Sequence, residues 1–197
     1  MESIQNNEAI KGLFTDLGID PEYTSPVLES FAATNNKYVR DLKLNVTGML
    51  NSKNMPKKEA LLLALAIAVN EKNDVLTRSF EAWAAKEGAT PDEIAETYAC
   101  TSLMNVNNVL YRFRKYVGSD AEYYNKTPAG LRMSIMMSPV MGKQLFELMS
   151  LVISAVNGCE SCVVSHEKSV KEQGAEEPKI YDAIRIGATV KGLCAAI

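Results

Sequence analysis

Two cysteines, Cys159 and Cys162, stand three residues apart, and the only histidine in the chain, His166, follows four residues after the second. Glu147 precedes them on an apolar stretch that runs to Val156. Asn157-Gly158 then breaks the pattern, since both residue types tolerate a left-handed backbone. A new helix beginning near Cys159 places Cys159, Cys162 and His166 within about 60° of one another on one face. Sulfurs at i and i+3 close a disulfide with little backbone movement. At a helix start, unpaired N–H groups and the helix dipole favour a thiolate. His166, one turn beyond Cys162, leans back toward that sulfur and is suited to act as base or proton relay. The histidine thus favours Cys162 as the sulfur that meets an electrophile, with Cys159 as its disulfide partner. The dipole alone ranks the two the other way, and the histidine contact carries more weight because a relay must also deliver a proton to a leaving group.

Other chemistry fits some of these residues. A Cys-x-x-Cys pair is often half of a zinc site. Structural zinc takes four protein ligands, and Cys159, Cys162, His166 and Glu147 supply that number, but three crowded on one short helix make a poor tetrahedron. Glu147 alone reads as a salt-bridged helix residue; beside Leu145, Phe146, Leu148 and Met149 it also suits a partly buried carboxylate that orients His166. Cys100 and Cys194 lie among Ala, Thr and Leu and read as small packing residues. Met133, Met136, Met137 and Met141 read as packing or interface residues rather than ligands.

The elements that position this group read as helices throughout, with almost no strand-like alternation. Ile4 to Leu17 is amphipathic and ends at Gly18. A second helical stretch is expected between Ser25 and Ala33, and Tyr38 to Leu50 presents one apolar face. Asn51 to Pro56 is a loop, with Pro56 at a first helical position. Pro91 opens a long helix that stops at Gly118, and Ser119 to Gly130 is turn-rich. The helix that starts near Cys159 should reach about Gln173, with Gly174 as its cap. Ala68-Val69-Asn70 recurs as Ala155-Val156-Asn157, and Gly88-Ala89 as Gly174-Ala175, one residue out of register. This suggests a duplicated helical hairpin unit inside one domain of residues 1–197. It has an N-terminal helical extension over about 1–37, a non-catalytic copy over about 56–118 and a catalytic copy over about 140–197. In that register Lys72, Val75 and Ser79 stand where the second copy has Cys159, Cys162 and His166.

Bulk properties narrow the function class. A length of 197 residues allows one well-cored domain. The net charge of −3 and scattered basic residues give no electrostatic footprint for nucleic acid. No run approaches the roughly 18 apolar residues of a membrane span. Met1 to Lys11 lacks a basic-then-apolar leader, so a cytoplasmic protein is expected, and four cysteines there are no disulfide framework.

The combination of Glu147, Cys159-x-x-Cys162 and His166 resembles the signature of the alkylhydroperoxidase D (AhpD) family, within the superfamily shared with carboxymuconolactone decarboxylases. Asp41-Leu42-Lys43-Leu44-Asn45, Asn107-Asn108-Val109-Leu110-Tyr111-Arg112, Gly130-Leu131-Arg132-Met133 and Phe146-Glu147-Leu148 also resemble family segments, in order. The resemblance spans about Tyr38 to the end and implies an all-α, AhpD-like fold with an internal duplication, usually a homotrimer. It implies that Cys162 attacks peroxide, or a partner's oxidised cysteine, and becomes a sulfenic acid. Cys159 then donates a proton to the leaving group and closes the disulfide, while Glu147 and His166 form the relay. No bound cofactor or metal is implied. The reductant would be dihydrolipoamide on a lipoyl domain of a 2-oxoacid dehydrogenase complex, the oxidant a small hydroperoxide, and the partner an AhpC-type peroxiredoxin. Ser161 departs from the family, whose well-characterised members carry a second histidine there. A hydroxyl cannot replace that base near neutral pH, so slower direct peroxide turnover is expected. The chain is also expected to end soon after its last helix begins, at Ala195-Ala196-Ile197, short of part of the family's C-terminal helix. Two rivals remain: a carboxymuconolactone decarboxylase-like lyase or isomerase, which needs no paired cysteines, and a non-catalytic, zinc-stabilised oligomer.

Overall fold

A computed structural model describes residues 4–197, and among these there are helices and turns but no strand. The fold is all-α, as the periodicity requires. Residues 1–3 of the expected N-terminal extension lie outside the described residues. Ten α-helices follow in order: α1 (Glu8–Leu17), α2 (Pro26–Ala33), α3 (Tyr38–Leu50), α4 (Lys57–Asn70), α5 (Asp74–Lys86), α6 (Pro91–Val117), α7 (Glu122–Lys126), α8 (Lys143–Val156), α9 (Glu160–Glu172) and α10 (Glu177–Cys194).

Local chemistry sets most of these boundaries. The helix expected from Ile4 divides because Asn7 takes the N-cap of α1, its Oδ1 accepting from the N–H groups of Ala9 and Ile10 at 3.1 and 3.2 Å. Residues Ile4–Asn6 are left as a 3-10 turn. Pro56 is the N-cap of α4 rather than its first residue. Thr90 and Glu93 cap α6 reciprocally, with Pro91 at the first position as expected. The turn-rich stretch from Ser119 contains the five-residue α7, which buries nothing and so leaves no apolar stripe to read. The last helix is 18 residues long, so the chain does not end near its start.

Two helices form the centre. Every residue of α4 from Ala60 to Ala68 is buried, a helix apolar on all sides. It packs against α5, α6, α8 and α10. Helix α8 buries Leu145, Phe146 and all residues from Leu148 to Ser154, packed by α6, α9 and α10. The N-terminal segment closes the far end: Tyr23 Oη and Ser25 Oγ donate to the carbonyls of Ile197 and Ala196 at 2.6 and 2.7 Å.

Helices α8 and α10 approach closely at Gly187, where a Cβ would lie 2.5 Å from Val152 Cγ1. A methyl group there overpacks the contact. Gly187→Ala is therefore expected to destabilise the chain by about 1–3 kcal/mol, read as a lower midpoint in thermal or urea unfolding; an unchanged midpoint would refute this packing.

Helices α4 and α5 match α8 and α9 in length, at 14 and 13 residues. The boundaries Lys57, Asn70, Asp74, Lys86 and Pro91 shift by a constant 86 residues to Lys143, Val156, Glu160, Glu172 and Glu177. The expected one-residue slip is thus absent from the helices: Asn70 closes α4, whereas Asn157 lies just past α8. The positions matching Glu147, Cys159, Cys162 and His166 are Leu61, Asn73, Leu76 and Phe80, not Lys72, Val75 and Ser79.

Candidate active site

The α8–α9 elbow creates the site. Gly158 at φ +69° ends α8 in the left-handed region, and the Cys159 N–H reaches back to the Ser154 carbonyl at 3.0 Å. Cys159 is at once the residue that closes α8 and the N-cap of α9. It therefore lies just outside the first helical turn expected for it, while Cys162 is the third residue of α9. The two are joined as a disulfide, with Cα atoms 5.3 Å apart. Cys159 is wholly buried and Cys162 is 6% exposed.

A cysteine is a poor N-cap, and the Cys159 side chain accepts no capping hydrogen bond. At the matching position of the first unit, Asn73 does the ordinary work: its Oδ1 accepts from the Leu76 N–H at 2.9 Å. The α9 start carries a sulfur where the α5 start carries a capping amide. Its first N–H groups lack that side-chain acceptor and are suited to stabilise negative charge on sulfur.

Helices α8 and α9 run as an antiparallel hairpin, which brings Glu147 opposite His166. Their Oε2 and Nδ1 atoms are 2.7 Å apart, with side chains only 15% and 12% exposed. An ionised carboxylate only accepts, so Nδ1 carries the proton and Nε2 is left as the basic atom of the ring. His166 stands four residues after Cys162 on the same helix, a spacing whose side chains are neighbours. All four residues singled out from the sequence thus belong to one hairpin. A surface cleft of about 580 Å³ borders it at Ser161, lined also by Tyr111, Lys115, Ser119 and Asn125. A second cleft, about 390 Å³ beside Phe14 and Gly18, contains none of the four.

The remaining cysteines lie on other helices, Cys100 on α6 and Cys194 on α10. Burial pushes the Cys100 thiol up to about 12, with Ser150 3.6 Å from its sulfur pulling the other way. Burial likewise raises Cys194 to about 12, aided by the nearby Glu71 carboxylate. Neither thiol ionises appreciably near pH 8. Iodoacetamide treatment of the reduced, folded chain is therefore expected to spare Cys100 and Cys194, which should label only after unfolding; mass mapping of alkylated peptides checks this. Among the methionines, Met136 and Met141 pack against the core, while Met137 is exposed.

Sequence reasoning missed a polar network behind the elbow. Asn157 Oδ1 accepts from Asn70 Nδ2 at 2.9 Å, and Asn157 Nδ2 donates to Asn108 Oδ1 at 2.9 Å. Asn108 Nδ2 donates to Ser154 Oγ at 2.9 Å, and Arg112 Nη1 donates to the Asn157 carbonyl at 2.6 Å. Glu96, also missed, is buried in α6 and accepts from the N–H groups of Val140 and Met141 at 2.7 Å each, fixing the approach to α8. The available signal was the polar cluster Asn105, Asn107, Asn108 within an otherwise amphipathic helix.

The Carboxymuconolactone decarboxylase family profile matches residues 123–197, which contain the whole α8–α9 hairpin. The alkyl hydroperoxide reductase AhpD of Corynebacterium kroppenstedtii is 34% identical over 161 residues, covering 82% of this chain and 90% of its own. That of Anaeromyxobacter dehalogenans is 38% identical over 158 residues, covering 80% and 83%. The chain belongs to the AhpD family. The AhpD of Solibacter usitatus extends the match to 170 residues at 36% identity, or 86% of this chain and 94% of its own. The AhpD relationship therefore covers 80% or more of the chain, and it lies within the carboxymuconolactone decarboxylase superfamily. Among the described residues, no helix is long and apolar enough to cross a membrane.

Proposed function

We propose that the chain is an AhpD-type antioxidant enzyme, a thiol-dependent alkyl hydroperoxide reductase working through Cys159 and Cys162. The observation that carries this reading is the 2.7 Å Glu147–His166 pair, held one helical turn beyond a bonded cysteine pair. His166 Nε2, with its ring oriented by Glu147, takes the Cys162 proton. The thiolate attacks the peroxide's terminal oxygen, the O–O bond breaks, and the alkoxide leaves as alcohol after receiving a proton from Cys159 or the relay. Cys162 is now a sulfenic acid. Cys159 attacks its sulfur, water leaves, and the disulfide closes. A dithiol of the dihydrolipoamide type, free or on a lipoyl domain, reopens it by exchange and is itself oxidised. The same thiolate chemistry suits the disulfide of a partner peroxiredoxin as alternative oxidant.

Three further readings belong with this one. The constant shift of 86 residues supports an internal duplication whose first copy, with Leu61, Asn73, Leu76 and Phe80, is scaffold. Free thiols at Cys100 and Cys194 suit a reducing compartment such as the cytoplasm. Self-association is supported by the outer face of α6, where Val106, Val109, Phe113 and Tyr116 recur at helical spacing, with Val109 61% and Tyr116 77% exposed. Light scattering on the wild type should give a multiple of 21.6 kDa, with a trimer expected from the family resemblance. Val109→Glu with Tyr116→Glu should shift it toward monomer; a monomeric wild type would refute this.

The test of the central reading is a thiol count before and after stoichiometric cumene hydroperoxide. Loss of two thiols as one Cys159–Cys162 disulfide, reversed by dihydrolipoamide, is expected. Unchanged thiols would overturn it.

A further inference from the structure

Both elbows receive hydrogen bonds from neighbouring helices, Asn70 from Asn105 and Glu71 from Lys191 in the first, but only the second is held by its main-chain carbonyl through a guanidinium. Asn157 is gripped at three points: its carbonyl by Arg112, its Oδ1 by Asn70 and its Nδ2 by Asn108. One turn back, Ser154 takes Asn108 on its hydroxyl and the Cys159 N–H on its carbonyl. Helix α6 thus ties down Ser154 and Asn157, the residues that lead into Cys159. In the first unit, Asn73 locks the corresponding elbow from within by capping the Leu76 N–H. Cys159 supplies no such cap. With the internal lock given up for a sulfur, the Gly158 hinge needs another restraint.

Arg112 is suited to supply it. The residue is half-buried, and it takes part in none of the ion pairs formed among the described residues. A guanidinium withdrawn from water without an anion is costly unless its hydrogen bonds compensate. Its one recorded hydrogen bond goes to a main-chain oxygen at the C-terminal end of α8, where the helix dipole favours a cation.

We propose that Arg112 is a positioning residue for the Cys159–Cys162 couple, clamping the Asn157 carbonyl so that the two sulfurs stay within bonding reach when reduced. This rests on the thiol peroxidase reading and deepens it. Its consequence lies in the partition of the sulfenic acid. Cys162–SOH and Cys159–SH give the disulfide and water, whereas Cys162–SOH and a second hydroperoxide give the sulfinic acid and an alcohol. A pre-positioned Cys159 raises the rate of the first, intramolecular route alone. A looser elbow shifts material to the second, which a dithiol does not reverse.

The test uses the full chain with Arg112→Met, Arg112→Lys as conservative rescue, and Lys168→Met as a control removing one exposed positive charge from α9. In glutathione redox buffers, Arg112→Met is expected to shift the dithiol–disulfide equilibrium about tenfold toward dithiol, or about 30 mV for this two-electron couple. At a fixed excess of cumene hydroperoxide, its Cys162 sulfinic fraction, read by mass spectrometry, should rise several-fold. Arg112→Lys should recover part of both effects, and Lys168→Met should match wild type. If circular dichroism finds Arg112→Met unfolded, Arg112→Gln is read instead. Wild-type equilibrium and wild-type partition in the Arg112 variants would overturn the proposal, as would an equal shift in Lys168→Met. Should the wild type fail to oxidise with peroxide, the functional reading falls, while the redox-buffer equilibrium still decides whether Arg112 positions the pair.

Discussion

Cys162→Ser is expected to lower kcat/KM for cumene hydroperoxide on the order of 10³-fold or more, because it removes the atom that is oxidised. Cys159→Ser should behave differently. Its Cys162 still meets peroxide, so one equivalent of alcohol should form before turnover stalls, and dimedone should trap the sulfenic acid on Cys162. Neither variant should form the intramolecular disulfide. The contrast between a silent first variant and a single-turnover second distinguishes attacking from resolving sulfur. That assignment rests on His166 standing one turn beyond Cys162 and nearly two beyond Cys159. Equal single-turnover bursts from both variants would show the sulfurs to be interchangeable. Full turnover in Cys162→Ser would favour the lyase-type reading instead.

The second large effect comes from writing the first unit's residues into the second. Leu61 and Phe80 are wholly buried at the positions that match Glu147 and His166. Glu147→Leu alone leaves His166 Nδ1 without its acceptor, and His166→Phe alone leaves a largely buried carboxylate without its partner. Each single change is expected to lower stability by about 1–3 kcal/mol. The double change removes both polar groups together, so it should be more stable than the sum of the singles implies, by about 1 kcal/mol or more. Urea unfolding of all four proteins measures this coupling. Peroxide turnover should fall on the order of 10²-fold or more in all three variants, since none retains an oriented base. Additive stabilities would mean that the pair does not act as one unit, and retained turnover in His166→Phe would remove the relay from the mechanism.

Legibility in the sequence followed the range of the forces involved. Helices α3 and α6 were readable to the residue because their apolar stripes, prolines and terminal glycine are local signals. The start of α1 was misplaced because Asn7, a capping side chain, interrupts an otherwise continuous apolar period. Helix α7 was invisible for lack of a buried face. The four candidate residues could be grouped from the sequence because they lie on two consecutive helices, where spacing translates directly into proximity. The contacts of Arg112 and Asn70 with Asn157 were not legible, since that residue lies 45 and 87 residues away and only tertiary packing joins them. The expected repeat register, 87 residues, differs by one from the 86-residue spacing of the helix bounds. Matching letters at Asn70 and Asn157 outweighed the helix ends, which sequence similarity does not mark.

With Cys159 offering no surface to solvent and Cys162 almost none, the couple is reached only by something slender. A folded partner cannot lay a broad face against these atoms; it must extend a thin arm or a single projecting side chain. On the proposed chemistry, access to the hairpin would be set by cross-section before reactivity is consulted.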